Sequence, residues 1–300
     1  MFEIADRLLA AVDAGKRLVV ATAISIEGSA PRTVGTSMAF DGEAAIGSIA
    51  GGCVEGAVVE TCELVLADGI PRTVEYGVSE ETAFSVGLTC GGQLRIHVQP
   101  LDDALIDALR AGTALEVCRE FTEEPPVNRR MIVFGAMEFS AALAAAATTI
   151  GYRVTVCDPR SLFATPERFP GVELAVQWPT GWLEREISTG SITDDTAICV
   201  LSHDARFEAE LIALALASPA GYVGAMGSRN THDRRVASLA ERGVNDLTRL
   251  HSPIGLDLGV STPAETAISI LAEVLAARSH SSASPLRSTS GAIHGARVRA

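Results

Sequence analysis

From residue 130 onward the chain alternates short apolar runs with longer segments whose apolar residues recur at helical spacing. RMIVF (130–134) is a brief, almost wholly apolar run, and an alanine-rich segment follows it to about residue 150. Further apolar runs lie at 152–157, 173–177, 196–201 and 222–225, with helical patterns at 205–217 and 231–242 between them. Strand and helix alternating over short connections predict a parallel, doubly wound sheet. The last helix announces its own start: Thr262 stands at the N-cap, Pro263 at the first helical position, and Glu265 completes a capping box. The first half is less regular. Residues 18–26 read as a strand, 54–66 as a helix opening at Gly52 and Cys53, and 93–98 alternate as a strand should. This half is expected to be α+β.

A length of 300 residues suits two domains. Their expected extents are 1–122 and 131–278, joined by a polar linker at 123–130 that carries the Pro125–Pro126 pair. Residues 279–300 are rich in Ser, Arg and Ala, with few large apolar residues, and predict a disordered tail.

Charge narrows the partners. Thirty-seven acidic against 24 basic residues give a formal net charge of −13. Such a chain repels phosphate backbones, which argues against nucleic acid and anionic membranes. No run of about 18 apolar residues predicts a membrane span. Glu3 and Asp6 sit where a signal peptide needs positive charge. The six cysteines are scattered without zinc-type spacing, so reduced thiols and a cytoplasmic location are expected.

Two cysteines stand apart. SIAGGCVEGA (48–57) places Gly51 and Gly52 before Cys53, and GLTCGG (87–92) places Gly91 and Gly92 after Cys90. Glycines beside a cysteine suit a sharp turn or a close approach to a ligand. A cysteine at a helix N-terminus has its thiol pKa lowered. Thiolates suit soft metals and sulfur transfer, so Cys53 and Cys90 are candidate metal ligands in one shared site. The plainer alternative is a buried structural cysteine after each turn. Cys62, Cys118, Cys157 and Cys199 lie in apolar patterns and are expected to be inert core residues. In GSAPRTVGTSM (28–38), Arg32 offers a planar fork for phosphate or carboxylate, or is a surface arginine on an ordinary turn.

VFGAMEFSAAL (133–143) follows a strand and opens a helix, and Asp158 ends the next strand 23 residues after Gly135. That is the setting of a dinucleotide fingerprint, but Met137 and Ser140 replace its second and third glycines. Met137 would obstruct a pyrophosphate and Glu138 would repel it. The fold signal is therefore good and the NAD(P) signal poor. Gly227, Ser228 and Arg229 follow a strand's C-terminal end, where open α/β sheets bind ligands, and His203 occupies the matching place one strand earlier. Arg234 and Arg235 read as a solvated helix face. LHSPIGLDLG (250–259) is a loop whose backbone is expected to approach a ligand or another domain.

Taken together, GSAPRTVGTSM, GSIAGGCVE, GLTCGG, VTVCDPR, LSHD, YVGAMGSR and LHSPIGLDLGVSTPAETAISILAEVLA resemble the XdhC/CoxI family of accessory proteins that mature xanthine dehydrogenase and related molybdenum hydroxylases. The resemblance implies an N-terminal family domain followed by a Rossmann domain. It also implies a cofactor chaperone rather than a catalyst, one that binds molybdenum cofactor (molybdopterin), protects it during sulfuration and delivers it. The implied partners are a xanthine dehydrogenase-type hydroxylase and a cysteine desulfurase, and a homodimer is left open. The implied cofactor-binding positions are Cys53, Cys90, Gly51, Gly52, Gly91, Gly92, Arg32, Gly135, Asp158, His203, Gly227, Ser228 and Arg229. The family's glycine-rich turn is altered here to FGAMEFS. Two other readings stay open: an NAD(P)-dependent oxidoreductase, and a degenerate partner-docking scaffold.

Overall fold

The structure, a computed structural model, describes residues 1–28, 32–52, 54–77 and 93–290. The chain divides into two compact units, Met1–Pro126 with the described residues from Leu286 on, and Val127–Pro285.

The first unit is built on an antiparallel sheet in the order β3-β2-β1-β5-β4. Its strands are β1 (Val19–Glu27), β2 (Ser37–Phe40), β3 (Ala45–Gly47), β4 (Arg72–Tyr76) and β5 (Gln93–Pro100). Both faces of β1 are covered. Val19, Ala21 and Ala23 pack towards α2 (Glu55–Asp68), through Val58, Cys62 and Val65. Val20 packs towards α1 (Ala5–Asp13) and α3 (Asp103–Ala111), through Leu8, Leu105 and Leu109. Double burial explains why this stretch reads as a nearly unbroken apolar run. A hairpin of β6 (Leu115–Cys118) and β7 (Phe121–Glu123) completes the unit.

The second unit is a six-stranded parallel sheet in the order β10-β9-β8-β11-β12-β13. The strands are β8 (Arg130–Phe134), β9 (Arg153–Cys157), β10 (Glu173–Ala175), β11 (Thr196–Val200), β12 (Tyr222–Ala225) and β13 (Leu250–His251). One face is covered by α4 (Glu138–Thr149) and α8 (Pro263–Ser279), which bury Leu143, Ala147, Ile270 and Val274 against Met131 and Val133. The other face is covered by α5 (Pro179–Ser188), α6 (Glu208–Ala217) and α7 (Arg229–Glu241), which bury Leu183, Leu211 and Leu239 with Ile132 and Phe134. Strand order reverses on either side of β8, so the carboxyl ends of β8 and β11 flank the switch point of a doubly wound fold. The capping box of α8 forms as the sequence predicts, Thr262 accepting from Glu265 N and Glu265 from Thr262 N.

Candidate functional site

The glycine turn after β8 is closed by its own neighbours. Gly135 has φ +103°, and a Cβ there would stand 2.9 Å from the backbone nitrogen of Ser202, after β11. Only glycine lets the two strand ends pass so closely. The next amide, Ala136 N, donates to Asp158 Oδ2 at 2.7 Å. Asp158 is 2% exposed and also accepts from Arg160 N, Nε and Nη2. Burial raises its carboxyl pKa, but the donors from Arg160 and Ala136 outweigh that and hold it below the usual carboxylate range. Arg160 lies over the Phe163 ring at 4.6 Å and reaches Met137 Sδ at 3.7 Å. Glu138 pairs with Arg168 at 2.6 Å.

An amide at the mouth of α4 is thus already bonded to a carboxylate, and the acid that would hold a ribose hydroxyl is occupied by an arginine. NAD(P) is expected to bind with a Kd no tighter than about 1 mM, roughly 4 kcal/mol. Calorimetry is the check, and low-micromolar affinity would overturn the expectation.

The other strand-end residues gather around the start of α7. Ser228 is its N-cap, its Oγ accepting from Thr231 N at 3.2 Å. Gly227 and Ser228 lie between two adjoining clefts. One, of about 680 Å³, is lined by His203, Glu208, Arg234 and Arg235. The other, of about 530 Å³, is lined by Arg229, Asn230, Leu256 and Asp257. His203 and Arg229 are exposed. The sequence expectation for Arg235 is corrected: its side chain is 1% exposed rather than solvated, and it pairs with Glu208 at 2.7 Å.

The 250–259 loop makes a close approach to a helix of its own unit, and its residues also line the second cleft. Gly255 N donates to Glu273 Oε2 at 2.8 Å, Tyr222 Oη donates to the same oxygen at 2.6 Å, and Leu256 O accepts from Ser269 Oγ at 2.6 Å. A Cβ at Gly255 would lie 2.6 Å from Ser269 Oγ.

In the first unit, helix α2 opens at Glu55 rather than at Gly52–Cys53, and this carboxylate organises the loop before it. Oε1 accepts from Ser48 Oγ at 2.7 Å, Ile49 N at 3.2 Å and Ala50 N at 2.9 Å. Oε2 accepts from Gly52 N at 2.7 Å and Val54 N at 3.2 Å. Burial pushes its carboxyl pKa up, yet the hydrogen bonds from Ser48, Ala50 and Gly52 prevail and bring it to about 2. A charge fixed there offsets the helix dipole from which the sequence argument expected an activated thiol. Gly51 and Gly52 have φ +77° and +112° and are exposed. Arg32 pairs with Glu3 at 2.5 Å in an exposed bridge.

Cys53, Cys90, Gly91 and Gly92 lie outside the described residues, so the expected shared site lies outside them too. Among the other cysteines, Cys62, Cys157 and Cys199 are buried, whereas Cys118 is half-buried in the β6–β7 hairpin rather than in a core. No helix among the described residues is long and apolar enough to cross a membrane.

Fold and site together define a two-unit protein: an α+β unit with a carboxylate-braced glycine loop, and a Rossmann-like unit whose dinucleotide turn is closed. The family model described as "XdhC and CoxI family" matches residues 11–77, and that described as "XdhC Rossmann domain" matches residues 131–274. The chain belongs to the XdhC and CoxI family. It is similar to the Escherichia coli (strain K12) protein "Molybdenum cofactor insertion chaperone PaoD", 27% identical over 90% of this chain and 86% of that protein. It is also similar to a Bacillus subtilis (strain 168) protein named as a probable xanthine dehydrogenase subunit, 24% identical over 87% of this chain and 93% of that protein. A third relative, Escherichia coli (strain K12) YqeB, is 26% identical over 85% of this chain, which spans only 42% of YqeB's own length. A Bacillus halodurans crystal structure described as a xanthine dehydrogenase shares the fold, with a TM-score of 0.77 at 24% identity over 95% of this chain and 97% of that one.

Proposed function

We propose that this protein is a cytoplasmic accessory factor that holds molybdenum cofactor, protects it during sulfuration by a cysteine desulfurase and delivers it to a xanthine dehydrogenase-type hydroxylase. The observation that carries the reading is the closed β8–α4 turn: a Rossmann-like unit whose nucleotide turn is bonded to Asp158 is suited to holding and docking, not to hydride chemistry. End-to-end similarity to a relative named as a molybdenum cofactor insertion chaperone supports it.

The residues present fit such a group. When bound, the cofactor supplies an anionic metal–dithiolene centre with a phosphate. Residues 1–122 offer the soft sulfurs Cys53 and Cys90 and the exposed backbone of Gly51 and Gly52. Residues 131–278 offer His203, Gly227, Ser228 and Arg229 at the strand ends, beside the buried Arg235, whose Nε has no hydrogen-bond partner among the described residues. Arg32 would have to leave Glu3 to take part, and an exposed pair of this kind resists that by only about 0.5 kcal/mol. Gly135 and Asp158 would shape the turn rather than touch a ligand.

The test is to co-express the chain with molybdopterin biosynthesis and assay the purified protein for metal and pterin. Molybdenum and pterin are expected to co-purify in similar amounts. A protein free of both, alongside a hydroxylase that matures equally well without it, would refute the proposal.

A further inference from the structure

We propose that the cleft between α6 and α7 binds a small organic phosphate monoester, one strand away from the crevice where a dinucleotide would lie. For the ligand's identity the proposal rests on the reading above; for the site itself it does not.

Charge favours an anion here. In a chain of net charge −13, four arginines elsewhere on this unit are neutralised by carboxylates. Arg130 pairs with Glu186, Arg160 with Asp158, Arg168 with Glu138, and Arg206 with Asp204. Arg234, on the wall of the cleft, has no ion pair among the described residues; its Nε donates to Asn230 O, which leaves the rest of the guanidinium for a ligand. Arg229, one turn away, has none either. An acidic protein that leaves two cations unneutralised beside a cleft has made a local anion site.

The floor of the cleft is cationic as well. Arg235 lines the cleft with a side chain 1% exposed. It donates to Glu208 Oε1 at 2.7 Å, Met226 O at 2.8 Å and Ser252 Oγ at 2.7 Å, while its Nε stays unpartnered among the described residues. A buried guanidinium is costly even when paired. Here it ties α6, α7 and the turn after β12 into fixed walls, and it adds positive potential where water is scarce.

The backbone adds to this. The first turn of α7 carries no acidic residue, and although Ser228 Oγ takes up Thr231 N, the helix dipole there favours an anion. A Cβ on Gly227 would meet Thr231 Cγ2 at 2.9 Å and come within 3.5 Å of Arg235 Nη2, so the bare turn is what lets main chain form the wall. Ser228 and Thr231 add hydroxyls, and His203 stands at the rim.

A monoester suits this better than a pyrophosphate-linked dinucleotide. One cationic cluster serves one phosphate, the cleft's roughly 680 Å³ lies in the small-ligand range, and the bed for a second nucleotide is closed by Asp158 and Arg160.

Titration calorimetry on the full chain tests it, with guanosine 5′-monophosphate as a fused heterocycle bearing one phosphate and guanosine as its phosphate-free counterpart. The monophosphate is expected to bind at least tenfold more tightly than guanosine. Arg234→Ala should weaken it at least tenfold. Arg242→Ala, which removes the same charge from the exposed far end of α7, should leave it unchanged. Equal affinity for the two probes, no binding of the monophosphate at 1 mM, or an Arg234→Ala variant that binds like the wild type would overturn the proposal. A chain that binds the monophosphate yet purifies without molybdenum keeps this site and loses the reading above. Full molybdenum in Arg234→Ala together with unchanged monophosphate binding does the reverse.

Discussion

Replacing Cys53 by serine is expected to lower the molybdenum that co-purifies with the protein by at least tenfold, with Cys90→Ser doing the same. Serine keeps the size of the side chain but substitutes a hard oxygen that stays protonated near neutral pH. It is therefore a poor ligand for a soft metal and no sulfur carrier. Both cysteines are flanked by glycines in the sequence, a setting that tolerates a hydroxyl, so the fold should survive. The measurement pairs metal analysis of each purified variant with the activity of a hydroxylase matured in its presence. Cys118→Ser is the matched control, because Cys118 is half-buried in a hairpin outside both motifs. Full cofactor and full activity in both motif variants would rule out a shared sulfur site.

The second large effect is expected at Glu55. Its carboxylate accepts from five donors of the 48–54 loop, and the amides of Ile49, Ala50 and Val54 belong to residues at most 1% exposed. Glu55→Ala leaves these amides without an acceptor and should destabilise the first unit by about 2–3 kcal/mol, read as a lower urea midpoint. Glu55→Gln keeps the shape but not the charge, and should fall between. The pH dependence has a definite sign. The folded carboxyl titrates at about 2 against an ordinary 4.5, so its contribution is complete above about 4.5 and disappears as the pH falls towards 2. Wild type should therefore lose more stability than Glu55→Gln across that window. If the two acid limbs superimpose, the carboxylate cage is not what orders the loop.

Much of the second unit was legible in the sequence because its strands are buried on both faces. β8 and β11 are continuous apolar runs that read as parallel strands without help from context. β4, Arg72–Tyr76, alternates half-buried and exposed positions at a sheet edge before the buried Tyr76, and carries no continuous apolar run. Helix α5 has no place in the sequence reading: its first turn contains Gly181, a poor helix former, and it is held by the burial of Trp182 and Leu183. At the site, the glycines and Ser228 could be read locally, since turn and cap chemistry is local. Arg235 could not: an arginine on a polar helix looks solvated until Glu208, 27 residues away, is folded against it. Arg160 stood in view within the VTVCDPR motif, but its hold on Asp158, and through Asp158 on the turn, required the β8–β9 pairing. Glu55 likewise sat inside a quoted motif, and its part depends on how the 48–54 loop curls round it.

Burial also sets three of the protein's thiols apart as silent ones. Burial pushes the Cys62 thiol to about 11 and Cys157 to about 12, and raises Cys199 as well. An alkylating reagent at neutral pH consequently meets almost no thiolate at these three positions. Those three thiols give the intact chain its own internal blank for any mass-spectrometric footprint of the two motifs.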